Sequence, residues 1–127
     1  MITTTKPDPA SILMAESWTL FNRGHHLPAI ATARMTFESV LRNALDKSWS
    51  RKNKSGAVQL ARFAFECGRL SIAGQRDVDN ICGRLSEVIH GRETTVAHME
   101  GLLTLAEGAM RRMVGDLKTP RREVAHV

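Results

Sequence analysis

The stretch LPAIATARMTFESVLRNALDK, residues 27–47, has the clearest periodicity in the chain. Its apolar side chains recur at the spacing of one helix face, and they are Leu27, Ile30, Ala31, Phe37, Leu41, Ala44 and Leu45. This stripe predicts an amphipathic α-helix that buries one side in the protein. The stripe must be covered by other packed elements, which decides the fold class.

Four more segments, on both sides of residues 27–47, show the same helical period. Their bounds are 9–22, 57–71, 76–89 and 94–117. Turns between them are indicated by Gly24, Gly74 and Gly91. The chain holds only four prolines, and no segment alternates polar and apolar residues as a strand does. We therefore expect an all-α fold, an up-and-down bundle of about five helices.

Length and composition narrow the class of protein further. The 127 residues suit one domain, with 43% hydrophobic and 24% charged residues. These shares exclude collagen-like and disordered chains. We assign the helical domain to residues 9–117, between a flexible N-terminus, 1–8, and a flexible basic tail, 118–127.

Targeting and redox signals favour a cytoplasmic protein. Cys67 and Cys82 are the only cysteines, and we interpret them as small buried thiols in a reducing compartment. No secretory leader and no apolar run of about 18 residues are visible, so we expect no membrane partner. No metal-ligating or cofactor motif is visible either, and we expect no metal and no cofactor.

The net charge of +5 admits nucleic acid as a partner. The basic residues that could contact it lie in the polar linker 48–56 and near the end of the last predicted helix. They are Arg51, Lys52, Lys54, Arg111 and Arg112. The alternative interpretation is that these side chains form an ordinary solvated surface.

Two charged residues, Arg34 and Glu38, interrupt the apolar stripe of residues 27–47. They are four residues apart, which is close enough for an ion pair on one helix. A pair in this position is either a buried structural ion pair or part of a site.

Arg84 and His90 form an R-x5-H pattern near the end of the fourth predicted helix. Six residues on a continuous helix place two side chains roughly 120° apart around the axis. The two side chains can therefore meet only if the helix breaks near His90, or if two chains meet across a two-fold axis. Gly91 directly follows, which makes a break plausible.

Two segments together resemble the HEPN superfamily of small helical domains, and within it the DUF4145-like branch. The first is NRGHHLPAIATARMTFESVL, residues 22–41, in which an alanine-rich helix carries an arginine and a glutamate before a leucine. The second is RLSEVIH, residues 84–90, which fits the R-x(4–6)-H signature and precedes a last amphipathic helix. The resemblance covers roughly residues 10–115.

The resemblance implies a homodimer with a metal-independent ribonuclease site at its interface. His90 would be the acid/base that moves the proton of a ribose 2′-hydroxyl, and Arg84 would hold the scissile phosphate. Arg34 and Glu38 would shape the cavity behind them. Such domains act in toxin–antitoxin or phage-defence systems, so a protein partner encoded nearby is expected besides RNA.

Leu85 departs from the pattern of the active HEPN nucleases, which carry a polar residue directly after the motif arginine. This leucine lies on the apolar stripe of its predicted helix. The alternative function is therefore a non-catalytic, dimeric protein-interaction or ligand-binding module with the same fold.

Overall fold

The computed structural model describes residues 8–45 and 56–119, and within these ranges the chain forms helices and no strand. The five helices are α1 Pro9–Asn22, α2 His26–Ala44, α3 Ala57–Glu66, α4 Ile72–Ile89 and α5 Val96–Lys118. In the described part of the chain, the predicted all-α class is thus confirmed, and the number of helices agrees with the prediction of about five. Within the described ranges, no helix is both long and apolar enough to cross a membrane.

Helix α2 is the centre of the bundle, because it packs against each of the other four helices. Its buried face is continuous along the helix and consists of Ala29, Ile30, Ala33, Thr36, Phe37 and Leu41. The stretch that predicts the fold class is therefore also the one that the other helices cover.

The buried stripe of α2 is rotated from the predicted one. Its centre lies at Ala33 and Phe37, and Leu27, Arg34 and Glu38 lie about 100° around the helix from this centre. Leu27, which we expected in the core, is 52% exposed for this reason. Arg34 and Glu38 are half-buried at the edge of the stripe rather than inside it.

The connection between α3 and α4 differs from the prediction of a turn at Gly74. Helix α3 ends at Glu66, and Gly68 takes a positive φ of 75° that turns the chain. Helix α4 begins at Ile72 because the hydroxyl of Ser71 accepts a hydrogen bond from the N–H of Gly74 at 2.9 Å, which caps its first turn. Gly74 is therefore inside α4.

The early end of α3 also corrects one of the two predicted buried thiols. Cys67 follows the last residue of α3 and is exposed, so its assignment to the core is wrong. Cys82 lies in the middle of α4 and is buried, as predicted.

Polar contacts fix the register of α4 against α5. One carboxylate oxygen of Asp116, near the end of α5, accepts hydrogen bonds from the N–H of Ser71 at 2.8 Å and from its hydroxyl at 2.6 Å. Along the same pair of helices, Arg112 donates to Asp77 at 2.8 Å. The start of α4 is thereby held beside the end of α5, so the two helices run antiparallel.

The glycines of α4 offer a matched test of this close contact. A Cβ atom at Gly74 would lie 2.8 Å from Asp116 Oδ2 and 2.9 Å from Leu70 Cδ1, whereas a Cβ atom at Gly83 would meet nothing within 4 Å. Alanine is the better helix former at both positions by about 1 kcal/mol. We expect Gly83→Ala to raise the free energy of unfolding by about 0.5–1 kcal/mol and Gly74→Ala to lower it by about 1–3 kcal/mol.

Urea denaturation monitored by circular dichroism measures both changes. Equal stabilisation by the two substitutions would show that Asp116 does not pack against the first turn of α4.

Candidate functional site

Arg84 lies on α4 with its side chain half-buried, and it lines two cavities beside the start of α5. The first cavity, of about 350 Å³, is lined by Arg84, Glu87, Val88, Arg92, Glu93, Thr94, Thr95 and His98. The second, of about 630 Å³, is lined by Arg84, Ala97, His98, Glu100, Gly101, Leu102, Thr104 and Leu105. We call these the α4–α5 cavities. Arg84 and His98 are the two residues that line both.

His90 is exposed at the end of α4 and lines neither of the α4–α5 cavities. Its N–H still donates to the carbonyl of Ser86 at 2.9 Å, so the helical path continues through it. The chain turns only at Gly91, where φ is 97°. The break therefore comes after His90, and within one chain the side chains of Arg84 and His90 keep the separation of about 120° of a continuous helix.

His98 is the histidine that the fold brings to Arg84, and sequence reasoning did not single it out. It lies in the first turn of α5, where its N–H donates to the hydroxyl of Thr95 at 3.1 Å. The sequence contained a signal for this arrangement. A turn at Gly91 and a helix cap at Thr95 place the first turn of α5 beside the last turns of α4.

Arg34 and Glu38 are not paired with each other among the described residues. Glu38 forms an ion pair with Arg42 instead, and 2.8 Å separate its Oε2 from Nη2 of Arg42. Arg34 lines a separate cavity of about 410 Å³ together with Cys82, Ser86 and the first turn of α3. No residue of that cavity lines the α4–α5 cavities, so within one chain Arg34 does not shape the surroundings of Arg84.

The candidate nucleic-acid contacts divide into two groups. Arg51, Lys52 and Lys54 lie outside the described residues. Arg111 and Arg112 are exposed on α5, but each faces a carboxylate: Arg111 pairs with Glu107 at 3.1 Å and Arg112 with Asp77 at 2.8 Å. Their positive charge is therefore partly compensated.

The described residues contain no group of three or more histidine, cysteine, aspartate or glutamate side chains that could hold a metal ion. The residues that line the α4–α5 cavities carry guanidinium, imidazole, hydroxyl and carboxylate groups. An arginine beside a histidine is suited to bind an anion and to move a proton.

Cys82 faces the Arg34 cavity, but its thiol is a poor nucleophile. Burial raises the pKa of Cys82 from 9.0 to about 12, and Asp79 and Glu38 act in the same direction against the opposing charge of Arg34. The thiolate is the reactive form of cysteine, so this thiol is inert at neutral pH.

We expect a thiol reagent such as DTNB to modify Cys67 rapidly at pH 8 in the folded protein and to leave Cys82 unmodified, because Cys82 is buried and protonated. The absorbance of the thionitrobenzoate that DTNB releases gives the number of modified cysteines, before and after urea is added. The control is Cys67→Ser, in which the folded protein should show no rapid reaction. Rapid modification of this variant would contradict the burial of Cys82.

Comparison with known proteins adds no assignment to this geometry. No family model matches the chain, and neither a curated protein nor a solved structure does. The resemblance to the HEPN superfamily therefore stays a prediction based on residues 22–41 and 84–90.

Proposed function

We propose that this chain is a HEPN-like helical domain that forms a homodimer and cleaves RNA without a metal ion. The observation that carries the proposal is the placement of Arg84 at the α4–α5 cavities and of His90, exposed, at the end of the same helix. Six residues of helix separate them by about 9 Å along the axis and by about 120° around it, so one chain does not direct both side chains at one phosphate.

The chemistry follows from the two side-chain types. The guanidinium of Arg84 would hold the non-bridging oxygens of the scissile phosphate and stabilise their growing charge. The imidazole of His90 would accept the proton of the ribose 2′-hydroxyl, whose oxygen then attacks phosphorus. The P–O5′ bond breaks, the 5′-oxygen takes up a proton from water, and His90 returns its own proton to water. The products are a 2′,3′-cyclic phosphate and a 5′-hydroxyl end.

The homodimer is part of the proposal because one chain does not bring its own Arg84 and His90 onto one face of α4. A two-fold axis beside this end of α4 would bring Arg84 of one copy to His90 of the other. The proposed setting is a toxin–antitoxin or defence system, in which a protein encoded nearby controls the cleavage.

A second candidate function, a non-catalytic interaction or ligand-binding module, is favoured by Leu85. This side chain is 0% exposed and belongs to the core cluster, as its position on the apolar stripe predicted. The residue after Arg84 therefore gives no polar group to a site. In this alternative, the dimer and the α4–α5 cavities bind a partner or ligand without turnover.

The decisive experiment is an RNA cleavage assay in the presence of EDTA, with end groups identified by mass spectrometry. We expect Arg84→Ala and His90→Ala each to reduce the cleavage rate by about 100-fold or more, since one positioned acid/base contributes about 10²–10⁴-fold. Matched controls are Arg62→Ala and His25→Ala, whose exposed side chains lie on α3 and directly before α2. These controls should cleave at the wild-type rate.

Mixing the two inactive variants tests the two-fold arrangement. A hybrid dimer of Arg84→Ala and His90→Ala chains holds one intact Arg84–His90 pair across the interface, so mixing should restore activity. Cleavage that persists in His90→Ala would contradict the assignment. Absence of turnover in a folded, dimeric wild-type protein would favour the non-catalytic module.

A further inference from the structure

Arg84 and His98 both line the α4–α5 cavities, an arrangement that the R-x5-H pattern does not require. They come from different helices, and each lines both cavities. Arg84 has no ion pair among the described residues, although the neighbouring Arg92 is paired with Glu87 at 2.7 Å. A half-buried guanidinium without a carboxylate partner is a group that an anionic ligand can satisfy.

Thr94 supplies an independent observation at the same place. Its hydroxyl oxygen is buried and has no hydrogen-bond partner in the described part of the chain, and the residue lines the smaller cavity. The neighbouring Thr95 hydroxyl, in contrast, is used by the N–H of His98. A buried hydroxyl without a partner is unfavourable, and a ligand oxygen in the cavity would accept a hydrogen bond from it.

The remaining charges around the cavities are compatible with an anion. The Arg92–Glu87 pair is internally neutral, and Glu93 and Glu100 are exposed and each line only one of the two cavities. The exposed carboxylates can turn towards water, where their repulsion of a ligand is screened. The first turn of α5 adds N–H groups that no earlier carbonyl within the helix can satisfy.

We propose that Arg84, Thr94 and His98 form a phosphate-binding site within a single protomer, and that its ligand is a ribonucleotide phosphate. The smaller cavity would hold the phosphate, and the larger one, whose wall includes Ala97 and the exposed Leu105, would hold the attached ribose and base. The identity of the ligand as RNA rests on the proposed function; the binding of phosphate by these three residues does not.

His98 is in this arrangement a second histidine at the scissile phosphate, besides His90. It would donate a hydrogen bond to a phosphate oxygen through its imidazole, while Arg84 binds the same phosphate from α4. Such a site would hold the phosphate within one protomer, and His90 would be brought to it by the second copy.

The test is an NMR titration of isotope-labelled protein with inorganic phosphate in one arm and adenosine 3′-monophosphate in the other. We expect saturable shifts of the His98 imidazole signals in both arms, with tighter binding of the nucleotide. Arg84→Ala should weaken binding about tenfold or more, and Thr94→Val about threefold, as expected for lost hydrogen bonds to a charged group. Arg62→Ala and His25→Ala are the controls and should bind as the wild type does.

The outcomes separate this inference from the proposed function. Phosphate binding at His98 without RNA cleavage would support the phosphate site and contradict only the ribonuclease proposal. RNA cleavage with no saturable shift at His98 overturns the site and leaves the ribonuclease proposal standing. If Arg84→Ala does not fold, Arg84→Lys replaces it, because lysine keeps the charge but loses the two-pronged geometry and should also bind more weakly. Unchanged binding by the lysine and valine variants overturns the inference.

Discussion

The carboxylate of Asp116 fixes the pair of helices on which the candidate site depends. It binds Ser71 through both the backbone N–H and the hydroxyl, and Ser71 in turn caps α4 by accepting from Gly74. One end of α4 is thus tied to α5 by hydrogen bonds to a charged acceptor, and the other end is tied by the short turn after Gly91. Because both ends of α4 are held against α5, α5 cannot slide along α4. The position of His98 relative to Arg84 is therefore set by the number of residues between the Ser71–Asp116 contact and the turn at Gly91.

The other side of α4 meets the rest of the bundle, where packing rather than hydrogen bonding sets the geometry. Leu85 and Val78 are completely buried, and α4 packs against α2, α3 and α5. Arg84 precedes Leu85 and therefore points away from this core by about 100°. The same helix thus presents a rigid apolar face to the bundle and one cation to the α4–α5 cavities.

The fold class could be predicted from the sequence because the helical period is strong in every segment, above all in residues 27–47. The errors concern the rotation of the buried stripe around α2 and the residues at which α3 ends and α4 begins. Leu27 lies about 100° from the centre of the α2 stripe, a difference that a list of apolar positions does not resolve. The spacing of Cys67 continues the face of α3, but the helix ends at Glu66 and the chain turns at Gly68. The local cap at Ser71, which depends on Asp116 from the far end of α5, moved the start of α4.

The candidate site was predicted in part. Arg84 could be singled out from the sequence because the R-x5-H pattern is local, and the side of α4 on which it lies follows from the same stripe that buries Leu85; its role stays a prediction. His98 was missed because its relation to Arg84 arises from the antiparallel return of α5, which is a tertiary contact and not a spacing along one helix. Arg34 and Glu38 were grouped with Arg84 through the resemblance alone, and the structure places Arg34 at another cavity.

The burial of Leu85 has a consequence for how this protein can evolve. A polar side chain at residue 85 would point into the core rather than towards the α4–α5 cavities, because this position is completely buried. Putting an amide or hydroxyl there would leave a buried polar group and a lost apolar contact, which together weaken folding by several kcal/mol, roughly 2–5 by analogy with other core changes. A polar substitution at residue 85 therefore requires other substitutions that raise the free energy of unfolding of the bundle. Substitutions at residue 85 and in the surrounding core are thus coupled.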